Sequence, residues 1–120
     1  MTMRKKILLV EDDDATRLGL SSFLERAGYD VVATESVQEG RSAMEQGQPD
    51  LIITDVRLGA FNGLQLIAMS PRPIPAIVTT GFPDSVLEAE ARRLGAEFLL
   101  KPIEPTGLLT LVANLLRSPS

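Results

Sequence analysis

The sequence contains no cysteine and no histidine among its 120 residues. Without cysteine the chain can form neither a disulfide nor a thiolate metal site, which suits a reducing cytoplasm. Without histidine it has no imidazole base, no imidazole metal ligand and no histidine to carry a phosphoryl group. Any phosphohistidine that takes part in its chemistry must therefore belong to a partner.

Aromatic residues are also scarce, and acidic residues outnumber basic ones. Only 4% of the residues are aromatic and none is tryptophan, so a core must be built from leucine, isoleucine, valine and alanine. The net charge is −4 and no basic patch is visible, which argues against binding of nucleic acid. The longest apolar run is far too short to span a membrane. We expect one cytoplasmic domain over residues 1–120, with its core at about 6–117.

Short apolar runs alternate with amphipathic segments along the chain. The five runs that are typical of buried parallel strands are Ile7–Val10, Val31–Ala33, Leu51–Thr54, Ala76–Thr80 and Phe98–Leu100. Segments with helical periodicity separate them and follow the last one. Five alternations of strand and helix predict a parallel sheet with helices on both faces.

Helix start and stop signals fall between these runs. The predicted N-caps are Asp14 for the first helix, Ser36 in a capping box with Glu39 for the second, Asp84 or Ser85 for the fourth, and Thr106 for the last. The third helix is predicted at Leu64–Met69 and is short, because three prolines at positions 71, 73 and 75 stop it. Gly28 and Gly95 are placed just after the ends of the first and fourth helices.

Side chains with chemical potential stand where the strands end. They are Glu11 and Asp12 after the first strand, Asp55 after the third, Thr79 or Thr80 at the end of the fourth, and Lys101 after the fifth. Ligands of an open parallel sheet bind at the carboxyl ends of its strands. We therefore expect three carboxylates, one hydroxyl and one ammonium group to converge on one edge of the sheet.

This set of groups favours phosphoryl transfer. Three carboxylates repel one another unless a cation joins them, and oxygen ligands alone indicate a hard cation such as Mg²⁺. A divalent ion and an ammonium group neutralise charge on a phosphoryl group while a carboxylate attacks it in line. Asp55 stands alone and is the predicted nucleophile, whereas adjacent Glu11 and Asp12 are better placed to hold the ion. Asp50 opens the same strand roughly 16 Å away and serves as a control.

The motifs at these strand ends resemble the receiver domains of bacterial response regulators. The matching segments, within residues 6–117, are Leu9–Asp13, Pro49–Asp55, Asn62–Gly63, Thr80–Gly81 and Phe98–Pro102. The resemblance implies a flavodoxin-like, doubly wound (βα)5 α/β fold with strand order 2-1-3-4-5, the order known from a chemotaxis receiver. The chain departs from the usual pattern in having Glu11 where aspartate is common. It also has a shorter segment between Gly63 and Thr80, which implies a shortened third helix.

The resemblance further implies which residues take part in phosphorylation. Asp55 would be the phosphoacceptor of a two-component phosphorelay, and a sensor histidine kinase or phosphotransfer protein would be the donor. Glu11, Asp12, Asp55 and the backbone carbonyl of Arg57 would bind Mg²⁺. Lys101 would be the cation that binds the phosphoryl group. The domain would be a signalling phosphoacceptor that assists its own phosphorylation and dephosphorylation, not an enzyme with a separate substrate.

A second set of implied roles concerns the output. The resemblance selects Thr80, and not Thr79, as the switch hydroxyl, with Phe98 as the rotating aromatic. The fourth helix, fifth strand and last helix would form the surface for an effector or a homodimer. The Lys101–Pro102 peptide bond would be cis, which an X-Pro bond permits at modest cost.

Three other interpretations compete with this one. A haloacid-dehalogenase-like phosphatase would use Asp12 as nucleophile within the Asp-x-Asp-x-Thr pattern of Asp12–Thr16, but it leaves Asp55 unexplained and lacks a second acidic pair. A pseudo-receiver would bind partners without phosphorylation, which the intact set of acceptor, metal-binding, hydroxyl and lysine groups argues against. A flavodoxin is disfavoured because four consecutive acids, Glu11–Asp14, follow the first strand and would repel phosphate.

Overall fold

The structure is a computed structural model that describes residues 4–58 and 61–117. Its main sheet has five parallel strands, which are Lys6–Val10 (β1), Asp30–Thr34 (β2), Leu51–Asp55 (β3), Ala76–Thr80 (β4) and Ala96–Leu100 (β5). Their order in the sheet is β2-β1-β3-β4-β5. The predicted fold class and strand order are confirmed.

Five helices connect and follow these strands. Their bounds are Asp14–Arg26 for α1, Val37–Gln46 for α2, Gly63–Ala68 for α3, Ser85–Arg93 for α4 and Pro105–Leu116 for α5. With six residues, α3 is the shortest of them, as the sequence predicts. A two-residue antiparallel pair, Arg57–Leu58 with Phe61–Asn62, lies between β3 and α3. Within the described ranges, no helix combines the length and apolarity that a membrane span requires.

The core lies in two layers, one on each face of the sheet. Successive strand residues point to opposite faces, so Leu8, Ile52 and Val78 pack with residues of α2, α3 and α4. Ile7, Ile53 and Ile77 pack on the other face with residues of α1 and α5. All residues of β3, the central strand, and of its neighbour β4 are buried, so the positions of the residues at their carboxyl ends are fixed.

Two of the predicted helix caps are wrong. Asp13, not Asp14, caps α1, because its carboxylate accepts hydrogen bonds from the backbone N–H and hydroxyl of Thr16 at 2.9 and 2.7 Å. Glu104, not Thr106, caps α5 by accepting from the N–H groups of Thr106 and Gly107. In α5 the first helical position is a proline, which needs no hydrogen-bond acceptor there, so the helix starts earlier than predicted.

The remaining boundaries differ from the prediction by one or two residues. Asp84 caps α4, which resolves the alternative left open with Ser85. Ser36 caps α2 as predicted, but the Glu39 carboxylate accepts from the N–H of Glu35 instead of that of Ser36, so the capping box is not closed. β5 starts two residues before the predicted Phe98. Gly28 and Gly95 have φ of 105° and 80°, as their places after α1 and α4 lead one to expect.

Candidate functional site

A buried charge cluster lies at the carboxyl edge of the sheet. The Nζ atom of Lys101 lies 2.7 Å from Oε1 of Glu11 and 2.8 Å from Oδ2 of Asp55. Glu11 is only 2% exposed and Asp55 8% exposed. One ammonium group therefore bridges two nearly buried carboxylates, and three of the predicted site residues are in direct contact.

Strand register brings these residues together. Val10 of β1 pairs with Thr54 of β3, and Thr80 of β4 pairs with Leu100 of β5. The ladder then continues one residue past two of the strands, because the N–H of Glu11 donates to Thr34 and the N–H of Lys101 donates to Thr80. The first residues after the strands are thus held by backbone hydrogen bonds at one level of the sheet edge.

Asp12 completes a group of three acids. Glu11, Asp12 and Asp55 each place one carboxylate oxygen within 4.8 Å of the others, and Asp12 is exposed. Three carboxylates (−3) and the Lys101 ammonium (+1) carry a formal net charge of −2. All candidate ligand atoms are oxygens, so the site suits a hard divalent cation such as Mg²⁺.

Burial and ion pairing act in opposite directions on the pKa values of this cluster. Burial raises the pKa of Glu11 above its ordinary value, and the hydrogen bond from Lys101 only partly offsets this. Burial alone would lower the pKa of Lys101, but hydrogen bonds to Asp55 and Glu11 outweigh it and raise that pKa. Lys101 therefore remains charged at neutral pH. A further cation at the site would favour the ionised form of Glu11.

Both oxygens of Asp55 have hydrogen-bond donors. Oδ2 accepts from Lys101, and Oδ1 accepts from the backbone N–H of Arg57 at 3.1 Å. The carboxylate is therefore held in one orientation at the mouth of the site. Arg57 is exposed, and its guanidinium lies 5.6 Å from the ring centroid of Phe82. The use of the Arg57 carbonyl as a metal ligand stays a prediction.

The two candidate threonines are both buried but face opposite sides of the sheet. Thr79 lies two residues after Ile77 on β4 and therefore faces the same side of the sheet, towards α1 and α5. Its hydroxyl donates to the Thr54 carbonyl at 3.5 Å. Thr80 follows Val78 on the α2–α4 side. Its hydroxyl makes two long contacts with the main chain of Phe82, at 3.3 and 3.4 Å.

Phe98 shares the sheet face of Thr80. It pairs in register with Val78, is half-buried and packs against the core layer of α2–α4. The Lys101–Pro102 bond is cis, as predicted. The control residue Asp50 lies at the opposite edge of the sheet, where its carboxylate accepts from the N–H of Lys6 at 2.8 Å.

Sequence reasoning missed two residues that shape this site. Arg17 donates a hydrogen bond to the backbone carbonyl of Glu11 at 2.9 Å, and the only sequence signal was its i,i+3 spacing from Asp14. Gly63 belongs to the Asn62–Gly63 motif, but the sequence gives no physical reason for a glycine there. A Cβ atom at Gly63 would lie 2.3 Å from the backbone oxygen of Asp55, so the close approach of α3 to β3 requires glycine there.

Sequence comparisons relate this chain to known proteins. Residues 7–113 match the response regulator receiver domain. The chain is 31% identical to the transcriptional regulatory protein FixJ of Bradyrhizobium diazoefficiens, with 98% of this chain and 59% of FixJ covered. It is 36% identical to the response regulator protein FleR of Pseudomonas aeruginosa, with 93% and 24% covered. The chain thus spans about three fifths of one relative and a quarter of the other.

Solved structures give the same relationship. A CheY-like receiver domain protein from Methanospirillum hungatei matches with a TM-score of 0.90 at 28% identity, covering 96% of this chain and 95% of that one. The signal receiver domain of a putative LuxO repressor protein from Vibrio parahaemolyticus matches with a TM-score of 0.87 at 29% identity. The match covers 96% of this chain and 92% of that domain.

Proposed function

Because this chain belongs to the receiver domain family of two-component response regulators, we propose that it accepts a phosphoryl group on Asp55. The observation that carries the proposal is the contact of Asp55 Oδ2 with Lys101 Nζ at 2.8 Å. The nearly buried carboxylate of Asp55 thus lies beside a cation at the edge of the sheet where ligands bind, which supports its role as the nucleophile. By analogy with its family, the donor would be a phosphohistidine of a sensor kinase or phosphotransfer protein, and this histidine would lie on the partner because none occurs in the chain.

In the transfer step, an Asp55 oxygen forms the new P–O bond while the P–N bond to the donor imidazole breaks. The imidazole leaves and takes up a proton from solvent, and the product is an aspartyl phosphate. Lys101 can bind the added phosphoryl group, because its ammonium already contacts the accepting carboxylate. The N–H of Arg57 holds the second oxygen and so orients the attacking one.

Mg²⁺ fits the same pocket, with Glu11, Asp12, Asp55 and the backbone carbonyl of Arg57 as its proposed ligands. The all-oxygen donor set and its formal charge of −2 support this assignment. When bound, the ion would neutralise charge on the transferring phosphoryl oxygens. Within the protein, Lys101 offsets part of the repulsion among the three carboxylates.

Mg²⁺ should raise the unfolding free energy of the protein, because only the native state gathers these ligands. At ten times the dissociation constant the expected gain is about 1.4 kcal/mol. Asp12→Asn should reduce both this gain in unfolding free energy and the phosphorylation of Asp55. Glu45→Gln is the matched control, since it removes one exposed carboxylate that pairs with Arg41 on α2. Urea unfolding with and without Mg²⁺ measures the effect, and equal curves for the wild-type protein would contradict the site.

Phosphorylation itself tests the proposed function. The protein is incubated with a small phosphodonor and Mg²⁺, and the modified residue is mapped by mass spectrometry. We expect one phosphoryl group, on Asp55. A phosphoryl group on Asp12 would instead support the phosphatase reading, and no modification under any donor would support the pseudo-receiver.

The proposed output begins at Thr80. Among the residues that the structure describes, its hydroxyl makes only long contacts, with Phe82, so a phosphoryl oxygen on Asp55 could compete for it. Movement of Thr80 would free space on the face that it shares with Phe98, and the ring would turn inward to fill it. The changed surface lies on α4, β5 and α5, where residues around 86–94 and 108–115 would bind an effector or a second copy.

Thr80→Ala should leave phosphorylation of Asp55 possible but remove its effect on association. Thr79→Ala is the matched control, because Thr79 is equally buried but faces α1 and α5. Sedimentation of phosphorylated and unphosphorylated protein measures the effect. If association of Thr80→Ala remains fully phosphate-dependent, the coupling route is wrong. If NMR shifts on phosphorylation map to Leu64–Pro75, the output surface is wrong.

A further inference from the structure

Arg17 joins three segments beside the acidic cluster without belonging to it. Its side chain is only 17% exposed. Nη1 donates to the backbone oxygen of Glu11 at 2.9 Å, and Nη2 donates to Oδ1 of Asp14 at 2.5 Å. Nη2 also lies 3.8 Å from Oε2 of Glu35, in the loop after β2. The guanidinium thus links the turn after β1, the first turn of α1 and the loop after β2.

These contacts hold the main chain of Glu11 from its carbonyl side. The N–H of Glu11 is fixed separately, by its hydrogen bond to Thr34 at 3.0 Å. Both peptide groups that flank Glu11 are therefore anchored, and the second of them leads directly into Asp12. A planar guanidinium with several donors can hold two acceptors in fixed geometry, which an ammonium group cannot do in the same way.

We propose that Arg17 is a positioning residue for the divalent-cation site. By fixing the turn after β1, it keeps the carboxylates of Glu11 and Asp12 directed at Asp55. Arg17 does not touch the ion and takes no part in phosphoryl transfer. The inference rests on the proposed function, because it assumes that these three acids bind Mg²⁺.

Removal of Arg17 should change the Mg²⁺ affinity in opposite directions, depending on whether its charge or its hydrogen bonds matter. The direction of the change therefore tests the proposal. A positive charge near a cation site opposes cation binding, so removal of Arg17 would strengthen Mg²⁺ binding if only its charge mattered. If its hydrogen bonds hold the turn, removal weakens binding, because the Glu11 carbonyl and the Asp14 carboxylate then lose the shared donor that fixes the turn. Arg17→Lys separates the two accounts, since it keeps the charge and loses the fork.

The experiment is an NMR titration of the wild-type protein, Arg17→Met and Arg17→Lys with Mg²⁺, following the backbone amides of residues 11–13 and 56–57. Both variants should bind Mg²⁺ about 10-fold more weakly, the lower end of the range for groups that orient metal ligands. Arg41→Met is the matched control. It removes an exposed arginine paired with Glu45 on α2 and should leave the affinity unchanged.

Several outcomes would overturn the inference. If Arg17→Met binds Mg²⁺ as tightly as the wild-type protein, or more tightly, Arg17 does not position the metal ligands. Full affinity in Arg17→Lys would do the same, and this variant decides the matter if Arg17→Met fails to fold. A wild-type protein that binds no Mg²⁺ would instead overturn the metal site of the proposed function. Normal binding and phosphorylation of the wild type with unaffected Arg17 variants would overturn only the inference.

Discussion

Asp55→Asn should abolish phosphorylation of this protein, whereas Asp50→Asn should leave it intact. Asparagine preserves the size of the side chain and can still accept a hydrogen bond from the N–H of Arg57. It lacks the carboxylate, however, so no anionic oxygen remains to form the P–O bond. The expected result is a complete loss of the phosphorylated species.

Asp50 makes a demanding control because it flanks the same strand. Its carboxylate caps the N–H of Lys6 at the opposite edge of the sheet, so its substitution tests a general loss of negative charge around β3. Intact-mass spectrometry after incubation with a small phosphodonor and Mg²⁺ compares the two variants. Undiminished phosphorylation of Asp55→Asn, or loss of phosphorylation in Asp50→Asn, would contradict the assignment of the acceptor.

Gly63→Ala should destabilise the protein by about 3 kcal/mol, near the upper end of what overpacking in a core usually costs. The added Cβ would lie 2.3 Å from the backbone oxygen of Asp55 and 2.5 Å from Oγ1 of Thr54. Neither neighbour can move away easily, because β3 is buried and paired on both sides. Because the clash falls on the acceptor residue itself, phosphorylation of the folded protein should also slow.

Gly19→Ala is a control that should change the unfolding free energy in the opposite direction. Gly19 lies inside α1, is exposed, and a Cβ there would meet no atom within 4 Å. Gly19→Ala should therefore stabilise the protein by about 0.5–1 kcal/mol through helix propensity and the reduced entropy of the unfolded chain. Urea unfolding measures both variants. A Gly63→Ala protein as stable as the wild type would show that α3 can shift without cost.

Local sequence patterns were most informative where a strand is fully buried. β4 has the predicted bounds, because an apolar run between Pro75 and Gly81 leaves little choice of boundary. β5 is less regular: only Ala96 is buried and the strand includes Glu97, so the pattern revealed only Phe98–Leu100. The predicted capping residues of α1 and α5 are wrong because several acids and hydroxyls lie near each helix start, and propensity alone does not choose among them.

The sequence by itself determined the alternation of strands and helices and, to within one residue, where each strand ends. In a parallel sheet those ends meet at one edge, so connectivity predicts that Glu11, Asp55 and Lys101 lie along the same edge, without saying which of them are in contact. Strand order and the choice of Thr80 over Thr79 came from family resemblance, because periodicity does not say which strands are neighbours.

Only the tertiary structure decided the contacts within the site. Lys101 bridges Glu11, 90 positions away, and Asp55 because strand register fixes their ends at one level. The same packing buries Glu11 while leaving Asp12 exposed, and it brings the guanidinium of Arg17 onto the turn after β1. These features depend on distances of a few ångströms between segments far apart in sequence. Periodicity and turn signals describe only the local chain and carry no such distances.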